Sequence, residues 1–332
     1  TKMMIKHTFL AATISIATIF ASNVFAQTKD LTLQLGWLPN SSNAGEIIAL
    51  KRGFFEEAGL NVNILPGGPG ANPIQELMDG SADVVIGYAP QIMYAVNRGL
   101  PLASFGAAFQ KAPLTFFSLG EKSITSVADW KGMRVGAAPS AKPQIMALLA
   151  NAGLSLDDIT FLQGGTAALM QDQADIVGGW PTNLAQVGPI IEHDGGYNAQ
   201  SIWDNGLQFQ SNYYVTTKDN LANNTDMLEA FMTAADKGWA WVADNQEAAV
   251  ALLIEYAPAL QADRETPSLA MTVEEFIYTS ETATEGFANV SMDRWQATLD
   301  TYAKLGEISA DLTAADVHTD VILNAVERTK RD

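Results

Sequence analysis

Apolar and polar residues alternate along Leu31-Thr32-Leu33-Gln34-Leu35, the period of a half-buried strand. Arg134-Val135-Gly136-Ala137 starts a second strand of the same kind. A helix is expected after each, over residues 43–58 and 143–152. Gly59 and Gly153 follow their last periodic residues, where glycine relieves the left-handed conformation of a helix end. Short strands come next at 61–65 and 159–162, then short helices leading into strands at 83–87 and 175–179. Strand–helix–strand alternation predicts mostly parallel sheets flanked by helices, an α/β fold.

One string occurs twice. Leu77-Met78-Asp79-Gly80-Ser81-Ala82-Asp83-Val84-Val85-Ile86-Gly87-Tyr88 aligns without a gap to Leu169-Met170-Gln171-Asp172-Gln173-Ala174-Asp175-Ile176-Val177-Gly178-Gly179-Trp180. Ala58-Gly59-Leu60 is echoed in the same order by Ala152-Gly153-Leu154. Two matches in one order argue for a single architecture used twice. The first lobe is expected to span 27–117 and the second 118–210. The stretch 211–332 then returns to the first lobe, beginning with a strand at Tyr213-Tyr214-Val215-Thr216. Past Asn220 the pattern turns helical, at 227–243, 245–256, 273–280 and 292–305, a C-terminal helical extension buttressing the sheets.

The first residues add a compartment. Lys2 and Lys6 precede an apolar run over 9–21, and Val24-Phe25-Ala26 offers small or modest residues for cleavage before Gln27. The run is shorter than the ~20 residues that span a bilayer. Residues 1–26 therefore read as a secretory signal, and the mature chain as a freely soluble periplasmic monomer without direct membrane insertion. The formal charge of −18 becomes more negative once the leader's lysines leave, and it repels nucleic acid and anionic lipid. With no Cys and three His in 332 residues, thiolate chemistry is excluded and metal- or His-based chemistry is disfavoured. No catalytic residue, metal site or cofactor is expected.

Ligands of open α/β sheets bind beyond the C-terminal strand ends, and four loops fall there. Gly36-Trp37-Leu38-Pro39-Asn40-Ser41-Ser42-Asn43 supplies a flat apolar face at Trp37 and polar groups at Asn40 and Asn43. Glu46, close behind, can accept a hydrogen bond from a ring amine. In Pro66-Gly67-Gly68-Pro69-Gly70-Ala71-Asn72, Gly68 lets backbone approach a ligand closely; no Gly-Lys-Ser/Thr follows, so this is not a phosphate loop. The remaining two are the repeated strand ends, Tyr88-Ala89-Pro90-Gln91 and Trp180-Pro181-Thr182-Asn183. Facing lobes would bring Tyr88 and Trp180 to opposite sides of one planar ligand, with Gln91 and Asn183 as polar neighbours. Phe109 extends the apolar wall or belongs to the core.

Gly36-Trp37-Leu38-Pro39-Asn40, continued as Ser41-Ser42-Asn43-Ala44-Gly45, resembles the Trp-x-Pro-Asn run of the NMT1/THI5-like family. This is the thiamine-pyrimidine branch of ABC-transporter periplasmic substrate-binding proteins. Gly53-Phe54-Phe55-Glu56-Glu57-Ala58-Gly59-Leu60-Asn61-Val62, the Ala82-Asp83 strand, the Arg98-Gly99-Leu100-Pro101 turn and Asp129-Trp130-Lys131-Gly132-Met133-Arg134-Val135-Gly136 fit it as well. The resemblance covers most of 31–180. It implies the two-lobe periplasmic-binding-protein fold of type II, a small-molecule ligand of thiamine-precursor pyrimidine type, and an ABC permease with its ATPase as partners. The family's ring-stacking role falls on Trp37, and then on Tyr88 and Trp180. Gly36 and Asn43 stand where many pyrimidine-binding relatives carry Asp and His.

Two alternatives stay open. A neighbouring branch binds nitrate, taurine and alkyl sulfonates; the feature comparable to its anion sites is Ser140-Ala141-Lys142, where Ser140 is the candidate contact. A periplasmic enzyme on the same fold would need a nucleophile–base or acid–base pair in the cleft.

Overall fold

Ten strands form two five-stranded sheets, one per lobe, in a computed structural model that describes residues 28–332. The expected signal at 1–26 lies outside the described residues. In the first sheet β1 (Lys29–Gln34), β2 (Leu60–Leu65), β3 (Val84–Gly87) and β4 (Leu102–Phe109) are joined by β10 (Ser211–Thr217) in the order β2-β1-β3-β10-β4. The second holds β5 (Thr115–Leu119), β6 (Arg134–Ala137), β7 (Thr160–Gln163), β8 (Ile176–Gly179) and β9 (Tyr197–Ser201), ordered β7-β6-β8-β5-β9. β1 pairs in parallel with β2 and β3, as β6 does with β7 and β8. In each sheet one antiparallel strand, β10 or β5, closes on the end of the parallel set.

The repeated string folds the same way twice. Helix Pro73–Met78 leads into β3, and helix Thr166–Met170 leads into β8. The shared Asp has one structural task in both copies. Asp83 Oδ2 accepts from the Thr32 N–H at 2.8 Å, and Asp175 Oδ2 accepts from the Arg134 N–H at 2.9 Å, so the first ties β3 to β1 and the second ties β8 to β6. The Arg134 guanidinium also bonds Asp175 and holds its carboxyl well below the usual range.

The chain crosses to the second lobe between Phe109 and Thr115 and returns between Ser201 and Ser211. A division at 117 therefore falls inside β5. β4 and β5 are buried along their whole length on both faces, so neither shows the apolar–polar alternation that marks a half-buried strand. The helix expected at 43–58 is two, Ala44–Lys51 and Phe54–Glu57, because Gly53 takes a left-handed φ of 75° between them. The one expected at 273–280 is the π-helical end, Thr272–Ile277, of a helix that begins at Ala262. Pro267 inside that helix hid it from the pattern.

Helix Thr225–Asp244 packs on Ala44–Lys51 of the first lobe, and their close approach runs through Gly45 and Gly238. Beneath it Glu46, 1% exposed, is not a cleft residue: Tyr214 Oη and Trp239 Nε1 both donate to its Oε1. Burial pushes the Glu46 carboxyl up, against the opposing pull of the Tyr214 hydrogen bond. The folded state thus keeps this proton to a higher pH than the unfolded chain does. Stability is expected to fall as pH rises from the ordinary carboxylate pKa of ~4.3 toward the raised value. Asp236, also raised by burial, acts in the same direction. Glu46→Gln keeps an accepting oxygen and removes one titration. Urea midpoints at about pH 5 and pH 8 should lie closer together in the variant than in the wild type. An equal gap in both proteins would mean that Glu46 titrates as an exposed carboxyl.

Candidate functional site

β3 and β8 end in Gly87 and Gly179, and the next residues are the paired aromatics. A side chain at Gly179 would lie 2.7 Å from Val187, so glycine lets the following helix close on the strand. Tyr88 and Trp180 meet across the seam between the lobes, ring centroids 5.8 Å apart and planes at 82°. This is direct edge-to-face contact, not the parallel pair with a ring-wide gap that a sandwich requires. Such a gap needs about 7 Å between planes, twice the carbon contact distance. Phe109 backs the seam at 5.9 Å from Trp180 and is itself fully buried, with Phe276 behind it at 5.7 Å. Burial pushes the Tyr88 hydroxyl up.

The glycine at 36 has a local cause. A Cβ there would lie 2.8 Å from both the Tyr88 hydroxyl and the Ile86 carbonyl oxygen. Tyr88 occupies the space that a larger residue before Trp37 would fill. Trp37 is part-buried, its carbonyl accepting from Gly67 N–H at 3.0 Å, which brings the glycine loop against the first loop. Gly68, with φ of 133°, lies beside Leu38, which is half exposed.

Most of the predicted polar residues are already engaged. Asn40 Oδ1 accepts from Ser42 N–H at 2.8 Å, capping the turn Ser41–Asn43. Gln91 Oε1 accepts from Tyr88 N–H at 3.2 Å, and Asn183 Oδ1 accepts from Gln186 N–H at 3.3 Å; both cap helices. Gln91 also borders a groove of about 730 Å³ with Met78, Tyr94 and Arg98, which includes none of the three candidate stacking residues. Asn43 is different: it is 2% exposed and its Oδ1 has no partner. Ser140 is exposed on the turn Pro139–Ala141, and the Lys142 ammonium beside it lies over the Phe161 ring at 5.5 Å.

Helix Ala262–Met271 was not legible as part of the site. Ser41 N–H donates to Glu265 Oε2 at 3.0 Å, and Ser41 Oγ donates to the same oxygen. From the second lobe Leu184 N–H donates to Ser268 Oγ at 3.2 Å, and Glu192 pairs with Arg264. The Arg264 guanidinium lies over Gly188, where a Cβ would come within 2.7 Å of it. One helix thereby touches the first loop of one lobe and the strand-end helix of the other. Its charged member at the first loop, Glu265, is a buried carboxyl.

Ser104, His318 and Asp320 deserve comparison with a nucleophile–base–acid set. His318 Nδ1 is 2.9 Å from Ser104 Oγ and its Nε2 is 2.8 Å from Asp320 Oδ1. Ser104 is fully buried in β4 and donates to the Val317 carbonyl at 3.1 Å, and Thr319 N–H donates to the Ser104 carbonyl. The set ties the C-terminal segment to the sheet edge, away from the seam, and offers no reacting atom to a substrate.

The sequence profile of the family described as NMT1/THI5 like matches residues 40–249. The chain belongs to the NMT1/THI5-like family. Within this family it is 26% identical over 235 residues to a formylaminopyrimidine-binding protein of Halalkalibacterium halodurans, covering 68% of this chain and 70% of that one. It is 25% identical over 302 residues to a 4-amino-5-hydroxymethyl-2-methylpyrimidine phosphate synthase of Legionella pneumophila, covering 88% and 89%. Binding proteins and enzymes therefore both occur among the relatives of this family member. The alkanesulfonate-binding protein SsuA from Xanthomonas axonopodis pv. citri, solved with MOPS, superposes with a TM-score of 0.68 at 17% identity, over 89% of this chain and 99% of that one. That likeness shows the periplasmic-binding-protein fold, with the C-terminal helices in place.

Proposed function

We propose that this family member is the solute-binding component of an ABC importer, that its two lobes close on a small planar nitrogen heterocycle of thiamine-precursor type, and that it is not an enzyme. The observation that carries this is the meeting of Tyr88 and Trp180, one from each copy of the repeat, at the seam between the lobes. A ring entering there finds flat apolar partners from both lobes, and its binding energy is then spent on holding them together. A ligand favours closure only through contacts that it makes better in the closed state. Lobe opening would separate the two rings to admit it. Work in the periplasm, as a monomer docking a permease and its ATPase, completes the proposal.

Electrostatics favour a neutral ring over a small anion. Sulfonate or nitrate needs concentrated positive potential, because burying its charge unpaired is costly. The seam offers the carboxyl of Glu265; its nearby guanidinium, Arg264, is paired with Glu192; and the chain's formal charge is −18. For the enzyme alternative, the acid–base–nucleophile set that the fold does contain lies buried at Ser104, away from the seam.

A thermal-shift screen of the secreted protein over aminopyrimidines, purines, pterins, flavins, taurine and nitrate tests the proposal. At 100 times its dissociation constant a ligand stabilises by ~2.7 kcal/mol, which is readily seen. A pyrimidine is expected to give the shift and micromolar or tighter binding by calorimetry, about −8 kcal/mol. Taurine or nitrate binding at that strength, with no heterocycle, would move the protein to the anion-binding branch.

A further inference from the structure

Helix Ala262–Met271 belongs to the first lobe: it packs on helix Gln246–Tyr256, which packs in turn on Ala44–Lys51, and its Glu265 holds Ser41. Its other side lies along helix Leu184–Ile191 of the second lobe and engages that helix at both ends. Ser268 Oγ accepts from Leu184 N–H at 3.2 Å, an amide of the first turn that the helix cannot satisfy itself. One turn away on the same face, the Arg264 guanidinium crosses Gly188 and pairs with Glu192 at the other end, its Nη2 donating to Oε2 at 3.2 Å. Going back from 268 to 264 thus runs alongside 184 to 192, and the two helices lie antiparallel. The guanidinium also places positive charge where the helix dipole is negative.

These contacts are polar, and they sit where the lobes must part. Val187 and Ile190 of the second lobe's helix turn into that lobe's own small apolar cluster, in which the bridging helix has no member. The chain joins the lobes through 110–114 and 202–210 alone, so a swing about those two segments draws the helices apart. Apolar packing across such a boundary would resist opening in proportion to its area. An ion pair whose side chains are 29% and 58% exposed, and one capping hydrogen bond, exchange for water at little net cost. The arrangement holds lightly and releases.

We propose that Arg264 and Ser268 form a latch on the second lobe and set ligand affinity without touching the ligand. The inference rests on the reading that the lobes close on a solute. It makes the two side chains positioning residues, which act on the ratio of closed to open protein. A ligand that binds the closed arrangement loses apparent affinity by the factor by which the closed fraction falls. The Arg264–Glu192 pair is part-exposed, so salt weakens it. Closure, and affinity with it, should therefore depend on ionic strength even for an uncharged ligand.

The chain has no Cys, so Gln75→Cys and Ala167→Cys, exposed and at equivalent positions of the two repeats, carry one spin label each and report the distance between lobes. Distance distributions are read on this labelled parent with and without 4-amino-5-hydroxymethyl-2-methylpyrimidine, in about 0.1 M and about 1 M salt, across which the screening length falls from ~10 to ~3 Å. Arg264→Gln and Ser268→Ala are each expected to lower the closed-to-open ratio about two- to fivefold, and the affinity for the pyrimidine with it. High salt should lower the ratio in the parent and in Ser268→Ala, and leave Arg264→Gln unmoved. Glu192→Gln should match Arg264→Gln, and the two combined should cost no more than either, which a separate structural role of Arg264 would not produce. A ratio equal in the parent, the variants and both salts overturns the latch, and leaves closure standing where the pyrimidine still shifts the distances. Latch responses present without any binding of the pyrimidine overturn the heterocycle reading and leave the latch.

Discussion

Gly45→Ala should destabilise the protein by about 2–4 kcal/mol although it adds a single methyl group. The Cβ would fall within the indole of Trp239, which is fully buried, so it cannot be accommodated by a small rotation. The facing residue, Gly238, is equally tight, since a Cβ there would strike the Gly45 carbonyl. Three terms compete. Alanine gains ~0.5–1 kcal/mol over glycine within a helix. Overpacking costs ~1–3 kcal/mol. Displacing the indole also lengthens the 3.2 Å hydrogen bond from Trp239 Nε1 to Glu46 Oε1, beside an Oε2 that already has no partner, and an unpaired buried group costs ~1–3 kcal/mol more. Helix propensity loses to the other two. Urea unfolding followed by tryptophan fluorescence measures the outcome, and a Gly45→Ala midpoint at or above that of wild type would contradict it. Combining it with Trp239→Leu should cost less than the two single changes added together, because the clash is then gone.

How far the sequence reached depends on what kind of signal each part of the fold leaves. β1 and β2 alternate because each has one face on the core and one toward less buried surroundings, so their period is visible. The repeated string is visible for another reason: Asp83 and Asp175 perform one backbone-pairing task, and Gly87 and Gly179 sit at equivalent strand ends. β4, buried throughout, and β9, a polar edge strand reading Tyr-Asn-Ala-Gln-Ser, have no such signature and were not expected. For the site, the aromatic positions could be read because two copies placed them alike. Which polar side chains stay free could not. Asn40, Gln91 and Asn183 look available in the sequence, yet each is consumed by a helix or turn end. Thr182, one residue from Asn183, remains unpaired, and this is decided by neighbours that meet only after folding. Glu46 followed the same logic in reverse. It lies next to the first loop in the chain, but its helix turns it inward to Tyr214 and Trp239.

Trp180→Ala is expected to weaken binding of 4-amino-5-hydroxymethyl-2-methylpyrimidine by ~1–3 kcal/mol, between roughly fivefold and 150-fold. Two losses add. The ligand gives up the ring face and the apolar area buried against it. The closed arrangement gives up the edge-to-face contact with Tyr88 at 5.8 Å and the packing on Phe109 at 5.9 Å, which are contacts between elements of the two lobes. Stability of the unliganded protein should fall less than affinity does, because Trp180 is only part-buried, whereas Phe109 behind it is fully buried. Phe109→Ala should show the opposite balance, costing ~3–5 kcal/mol of stability as a core truncation. Trp180→Phe separates the two contributions to binding: it retains a flat ring at the seam, and so should recover part of the affinity. Calorimetry on the three variants, each checked by its melting curve, makes the comparison. An affinity for the pyrimidine unchanged in Trp180→Ala would assign Trp180 to the packing between lobes alone and remove the stacking argument from this protein.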